Sequence, residues 1–343
     1  MNKLLFLLLQ LSMVLGMGLV SCHAQKENIS GLEARLDSLI NATMEAEHIP
    51  GAAFIVVKDG KTLLKKGYGF TSLGDDIRRV DPDSTIFRIG SITKTFTATA
   101  LLQLVDQKKI DLTNDVNTYL TSLQVPKGNF NKPISADHIL NHRAGFDELR
   151  GRVVYQQNQS IPLAQYLENR LIRLREPGLV SSYSSFGIAL AGLIIEDQSK
   201  MPLEAYLKKH IWDPLGMDMT SMFLNDQVEA YASWGYEYRN GINLPQPWEY
   251  YHTYPASEIN STVNDMGKYM QMHLNNGILN DTRILSESLA TQMKTPVLRV
   301  AEEVEAYGYG FYEEDAQGYR TISHGGDMLG YASYLALDPE DNL

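Results

Sequence analysis

One junction constrains this chain more than any other. A short extended run, Thr85 to Ile89, meets Gly90 and passes directly into a helical pattern. Ile92, Phe96, Ala100, Leu101, Leu104 and Val105 then recur at the spacing of one helix face. Ser91 therefore sits at the mouth of a helix, and Lys94 lies one turn on, on the same side. A serine hydroxyl is a poor nucleophile until a base takes its proton. A nearby, partly desolvated lysine can have its pKa lowered enough to help. The helix N-terminus adds free N–H groups and partial positive charge, which favour a developing anion. The plain alternative is that Ser91 caps the helix while Lys94 is solvated.

Two further stretches bear chemistry. Ser181-Ser182-Tyr183-Ser184-Ser185-Phe186-Gly187 lies just before an apolar helical run, Ile188–Ile195. A phenol there can reach a cleft. Beside an ammonium its pKa falls, so it can act as a base; the alternative is a packed, hydrogen-bonded tyrosine. Ser323-His324-Gly325-Gly326-Asp327 lies between two strand-like runs. Paired glycines in a strand let another backbone or a ligand approach, and an N–H there can stabilise an oxyanion. His324 would orient a substrate or hold a positive charge; the alternative is a bulge with a turn histidine.

The chain has 343 residues and a net charge of -11 with no basic patch, which argues against nucleic-acid binding. After Lys3 comes a nearly unbroken apolar run from Leu4 to Val20, then Ser21-Cys22. This has the layout of a signal peptide over residues 1–21; an uncleaved anchor is the alternative. Leu19-Val20-Ser21-Cys22 resembles a bacterial lipoprotein box, which implies that Cys22, the single cysteine, is lipidated and tethered by residues 22–28 to a membrane of the cell envelope. A plain secretion signal or a buried cysteine is the competing reading.

The remaining pattern predicts an α+β fold. Ser30-Gly31-Leu32-Glu33 reads as a capping box for a helix with Leu32, Leu36, Leu39, Ile40 and Met44 on one face. Strands are expected at Ala52–Val57 and Thr62–Phe70 around an Asp59-Gly60 turn. Helices are expected at Ser91–Gln107, Ser135–Asn141, Pro162–Leu174, Phe186–Ser199, Pro202–Trp212 and Thr262–Asn275. Gly145–Asn158 and Asp213–Gln246 read as loops, and strand character returns at Tyr307–Tyr312, Tyr319–His324 and Tyr331–Asp338. This divides the chain into an antiparallel-sheet domain (29–90 and 261–343) and a mostly helical insertion (91–260).

Taken in order, the three chemical stretches resemble the serine penicillin-recognising hydrolases, and more narrowly the branch holding class C β-lactamases, D-alanyl-D-alanine carboxypeptidases and related esterases. The resemblance extends to Ile139-Leu140-Asn141-His142-Arg143-Ala144-Gly145, Asp213-Pro214-Leu215-Gly216-Met217, Ser261-Thr262-Val263-Asn264-Asp265-Met266 and Tyr307-Gly308-Tyr309-Gly310. It implies an antiparallel sheet flanked by helices, with the active site beside a helical domain. It implies that Ser91 is acylated by a small ester, amide or peptide substrate, that Lys94 and Tyr183 shuttle its proton, and that the N–H groups of Ser91 and Asp327 form the oxyanion hole. His324 and Gly326 match the family's third motif, and no metal or cofactor is needed. Ser185 stands where the family most often has Asn, and Gly325 where many β-lactam and peptide cleavers have Thr. Both departures favour an esterase or D-peptidase over a β-lactamase. The family continues beyond a turn like Pro339–Asn342 with a further strand and helix, so a C-terminal truncation is expected.

Two other readings compete with this one. His138 and His142 stand four apart as in zinc-protease helices, but the glutamate after the first histidine is missing. A non-catalytic sensor or binding protein of the same fold is the alternative from a different functional class.

Overall fold

The computed structural model describes residues 29–74, 76–149, 151–297, 306–316 and 319–343. The leader, Cys22 and the tether lie outside the described residues. Helix α1 (Ile29–Ala46) packs Leu32, Leu36 and Ile40 on Tyr68 of a hairpin formed by β1 (Gly51–Lys58) and β2 (Lys61–Gly69). Ser30 lies inside α1 rather than capping it. The hairpin closes at Asp59 and Gly60, both with positive φ, as a tight two-residue turn requires.

Strand β3 (Phe87–Arg88) leads through a 3₁₀ turn at Gly90–Ile92 into α2 (Thr93–Asp106). Helix α3 (Ala136–Leu140) is capped by Ser135, and α4 (Ser185–Ser199) by the Ser184 hydroxyl, which accepts from the Gly187 N–H. Helices α2 and α4 pack on each other and are buried on nearly all sides. The four threonines of α2 therefore need partners inside the core. Thr95 and Thr99 donate back along the helix, Thr97 donates to the Pro255 carbonyl at 2.6 Å, and Thr93 accepts from the Ile259 N–H at 3.1 Å. These bonds fasten the segment 254–260 to the start of α2.

The chain then forms a hairpin, β4 (Tyr236–Arg239) and β5 (Ile242–Pro245), and a short strand β6 (Asn260–Ser261) paired with β3. Helix α5 (Val263–Leu274) is capped by Thr262 and packs on β1 and β2; α6 (Glu287–Lys294) follows. An antiparallel ladder of β7 (Tyr312–Ala316), β8 (Tyr319–Met328) and β9 (Tyr331–Leu337) completes the described fold.

The α+β class agrees with the expectation from sequence, and several local expectations change. The sheet consists of two ladders, β1–β2 and β7–β8–β9, with no ladder joining them among the described residues. The β4–β5 hairpin stands where a loop was expected, with Asn240 and Gly241 supplying the positive φ of its turn. The expected helix at Pro162–Leu174 stops at Leu167, because the Leu174 and Arg175 N–H groups bond to the Gly145 carbonyl instead. Tyr307–Tyr312 is a tight turn rather than a strand. Gly310 has φ +76°, and a Cβ there would lie 2.9 Å from that of Ala98. Strand β8 runs without a bulge through both glycines. No described helix is long and apolar enough to cross a membrane.

Replacing Thr97 by Val leaves the buried Pro255 carbonyl without its donor. A loss of roughly 1–3 kcal/mol is expected in urea unfolding; a variant as stable as wild type would contradict this fastening.

Candidate active site

Gly90 and Gly326 bring β8 onto the turn that carries Ser91. A Cβ on Gly326 would stand 2.0 Å from the Ile89 carbonyl oxygen, so only glycine lets the strand pass. Gly90 has φ +52°, and a Cβ on it would lie 3.0 Å from the Asp327 nitrogen. The Gly325 N–H donates to the Tyr312 hydroxyl at 3.0 Å, at the edge of β8 where β7 begins. N–H groups two apart on a strand face the same edge, so the Asp327 N–H points to that side beyond the end of β7. Ser91 is the second residue of the 3₁₀ turn, where backbone N–H groups lack helical partners. The two N–H groups expected from sequence thus belong to backbones in close approach.

Lys94 is fully buried. Its ammonium donates to the Ser91 hydroxyl at 2.9 Å and to the Ala256 carbonyl at 2.9 Å. Burial pushes it down to about 7; the Glu148 carboxylate opposes that shift and Arg152 adds to it. The Lys94 nitrogen lies 4.7 Å from the centre of the Tyr183 ring, over its face.

The phenol behaves differently from the expectation. Burial raises the Tyr183 hydroxyl well above its ordinary value, although a hydrogen bond with Ser91 pulls the other way. The lysine faces the ring rather than standing beside the oxygen, so it does not make Tyr183 the stronger base. Of the two groups, Lys94 is the one whose proton-free form is accessible near pH 7.

His142, four residues after His138, supports this corner. Its Nδ1 accepts from the Ser184 N–H at 3.1 Å, and its ring lies against Tyr183 with centres 4.7 Å apart. Burial and Lys94 hold His142 well below the usual histidine range. His324 is buried on β8, and its Nδ1 lies 2.6 Å from the Gly325 carbonyl, so that nitrogen carries the proton and Nε2 is the acceptor. Burial, then Lys94, pushes His324 down to about 3. It therefore offers a neutral imidazole and not the positive charge that was one reading of the sequence.

Ser185 is buried beside Tyr183 at the start of α4, and its N–H is taken by the Glu148 carboxylate. The other oxygen of Glu148 pairs with Arg152 at 2.7 Å. Sequence reasoning missed this pair, since both residues lie in a segment read as a surface loop; their i,i+4 spacing was the available signal. It also missed the Ala256 carbonyl, which carries no side-chain signature. Ser91, Lys94, Tyr183, Ser185, His324, Gly326 and Asp327 are gathered in one region. Cys22 lies outside the described residues. Among the described residues no group of three metal-binding side chains converges. The arrangement suits acyl transfer: a serine touching a buried amine, next to a phenol and to exposed-edge N–H donors.

Comparison with known proteins follows the same lines. A family model described as beta-lactamase matches residues 36–343. Protein flp of Staphylococcus aureus is 23% identical over 317 residues, which cover 90% of this chain and 61% of that protein. This chain thus spans less than two thirds of that relative's length. Penicillin-binding protein 4 of Amycolatopsis lactamdurans is 26% identical over 312 residues, covering 87% of this chain and 80% of that one. The octameric penicillin-binding protein homologue from Pyrococcus abyssi superposes with a TM-score of 0.77 at 27% identity, over 90% of this chain and 71% of that one.

Adjacent glycines give an internal control. Gly326→Ala forces a Cβ onto the Ile89 carbonyl, so a loss of roughly 1–3 kcal/mol is expected. At Gly325 an added Cβ meets nothing closer than 3.5 Å, so Gly325→Ala should be neutral or slightly stabilising. Paired denaturation curves check this; equal effects at both positions would contradict it.

Proposed function

The chain belongs to the beta-lactamase family, a family of serine hydrolases, and on that premise we propose that it cleaves an ester, amide or peptide through an acyl intermediate on Ser91. The observation that carries the reading is the 2.9 Å contact between the Ser91 hydroxyl and a buried amine pushed down to about 7. In its neutral form Lys94 accepts the proton of the Ser91 hydroxyl as the oxygen attacks the carbonyl carbon. The oxyanion is received by the N–H groups of Ser91 and Asp327. Tyr183, whose proton burial retains, donates it to the leaving group, and the proton that Lys94 took from Ser91 makes good that loss through solvent, so that the acyl-enzyme forms with no net change of protons. Water then attacks the acyl carbon, and the same groups run in reverse.

The substrate reading follows from the two departures. Ser185 is shorter than the Asn usual in the family and lacks its amide donor. Gly325 lacks the hydroxyl of Thr, although the space beside it would accept a side chain. An esterase or D-peptidase is favoured over a β-lactamase on these grounds. We also infer that residues 1–21 are removed and that Cys22 carries a lipid anchor at the cell envelope, a reading supported by the sequence Leu19-Val20-Ser21-Cys22.

Intact-mass spectrometry on protein purified from membranes tests both parts. The expected chain begins at a lipidated Cys22 and gains one fluorophosphonate, and Ser91→Ala gains none. Benzylpenicillin is expected to leave no persistent adduct and to remain unconsumed. An unlipidated chain contradicts the anchor. A fluorophosphonate adduct that survives in Ser91→Ala contradicts the nucleophile, and rapid consumption of penicillin contradicts the substrate reading. Absence of any adduct on folded protein would favour a binding protein.

A further inference from the structure

Five rings close a circuit beside Ser91. Tyr183 lies against His142 with centres 4.7 Å apart, His142 against Tyr307 at 5.0 Å, and Tyr307 against Tyr312 at 6.1 Å. Tyr312 then meets His324 at 5.3 Å, and His324 returns to Tyr183 at 6.1 Å. Neighbouring planes are tilted by 37° to 78°, so the rings do not stack into a slab. His142 and His324 are buried, whereas Tyr183, Tyr307, Tyr312 and Ser91 each reach solvent in part. The circuit is thus a cup with imidazoles at its base and phenol rings at its rim. The rim is anchored: the Tyr312 hydroxyl accepts from the Gly325 N–H at 3.0 Å, and the backbones of Tyr307 and Tyr312 bridge across the turn at Gly310. Beside it, a Cβ on Gly325 would stand 3.5 Å from that hydroxyl and 4.0 Å from the Tyr334 ring, so the glycine leaves room there.

The size and the charge of the cup select its occupant. A regular five-sided circuit with these separations has its middle roughly 4.6 Å from each ring, inside the ~4.5–7 Å range in which aromatic centroids attract one another. A planar ring entering there meets several others at once. None of the five residues supplies a carboxylate. Burial and Lys94 keep both imidazoles neutral, and burial keeps Tyr183 protonated. A cation would be drawn to the faces of the tyrosines, but the Lys94 ammonium already lies over the Tyr183 face at 4.7 Å and repels a second one. A neutral ring suits the cup better than a charged group of either sign.

We propose that this circuit of rings is the leaving-group subsite and that it takes a neutral aromatic ring, with Tyr307 and Tyr312 as its specificity residues. The substrates are then esters or amides whose alcohol or amine carries an aromatic ring. The assignment of the leaving-group side rests on the acyl-Ser91 reading. As the Ser91 oxygen bonds to the carbonyl carbon, the bond from that carbon to the alcohol oxygen breaks, and that oxygen keeps the electron pair and takes the Tyr183 proton. The organic part of the alcohol therefore departs beside the Tyr183 ring, where the other four rings stand. Tyr307 and Tyr312 take no part in the proton transfer; they bind what leaves.

Three acetate esters test it: phenethyl acetate, cyclohexylethyl acetate and acetylcholine, whose alcohols end in an aromatic ring, a saturated ring and a quaternary ammonium. The two ring alcohols share a carbon skeleton, so the comparison reads the aromatic character of the ring. The kcat/KM ratio of phenethyl to cyclohexylethyl acetate is expected to be about threefold or more in wild type, the size of aromatic pairing beyond apolar burial. Leucine keeps an apolar wall without a ring. The ratio should therefore fall in Tyr307→Leu and in Tyr312→Leu, and approach one in the double variant; the single variants decide the matter if the double variant does not fold. A ratio near or below one in wild type, a ratio unchanged in both single variants, or a preference for acetylcholine would overturn the proposal. Ligand-observed NMR of phenethyl alcohol and cyclohexylethanol with Ser91→Ala supplies a readout without turnover. Tighter binding of phenethyl alcohol, by about threefold and lost on adding Tyr312→Leu, supports the assignment, and equal binding of the two alcohols overturns it. Failure of fluorophosphonate labelling would count only against the acyl-serine chemistry, because the alcohol comparison still decides what the cup binds.

Discussion

The site depends on the burial of one ammonium. Lys94 has no solvent exposure, and a lone charge in that position is costly. Two acceptors offset the cost, the Ser91 hydroxyl and the Ala256 carbonyl. They do not remove it, and the residual penalty lowers the proton affinity to near neutrality. Desolvation alone would push further; Glu148 limits the shift. The same burial acts in the opposite sense on Tyr183, where the neutral form is the protonated one. One environment thus separates an amine and a phenol into a ready base and a ready acid.

The fold can be read as the means of keeping that amine dry. Helix α2 is buried on nearly every side, so its polar residues need internal partners. The threonines meet this need by binding the 254–260 segment, which presents the Ala256 carbonyl. Behind α2, the turn at Gly308–Gly310 comes close enough that Gly310 approaches the Lys94 carbonyl. The Gly310 N–H reaches the Leu140 carbonyl, and the Tyr309 hydroxyl reaches Asp137, so α3 is tied to the same corner. In front, Gly90 and Gly326 let β8 lie against the Ser91 turn. Each close approach needs glycine for a different steric reason, one for positive φ and one for lack of space.

Much of this was legible from the residues. Ser91 and Lys94 fall on one helical face, and the two-residue hairpin turn follows from Asp59-Gly60. The buried helices show as long apolar runs. What escaped depends on contacts between distant segments. The 307–312 run looks like a strand until Gly310 meets Ala98. The 162–174 helix pattern is cut short because the Gly145 carbonyl captures the Leu174 and Arg175 N–H groups. The Asn240-Gly241 turn was visible, but weak alternation around it hid the hairpin. Glu148 and Arg152 look like ordinary loop charges until the Ser185 N–H gives one of them a partner. The direction of the Tyr183 shift was beyond sequence altogether, since it depends on whether Lys94 faces the ring or the oxygen.

The pH dependence of Ser91 phosphonylation tests the central claim most directly. A lysine lowered to about 7 is protonated below that pH and cannot accept the serine proton. The second-order rate with a fluorophosphonate, measured from pH 5 to 10, should rise through a midpoint near 7 and then level off. A rate that climbs only towards the value of a solvated lysine, at about pH 10, or that stays flat across the range, would contradict the buried amine as the base.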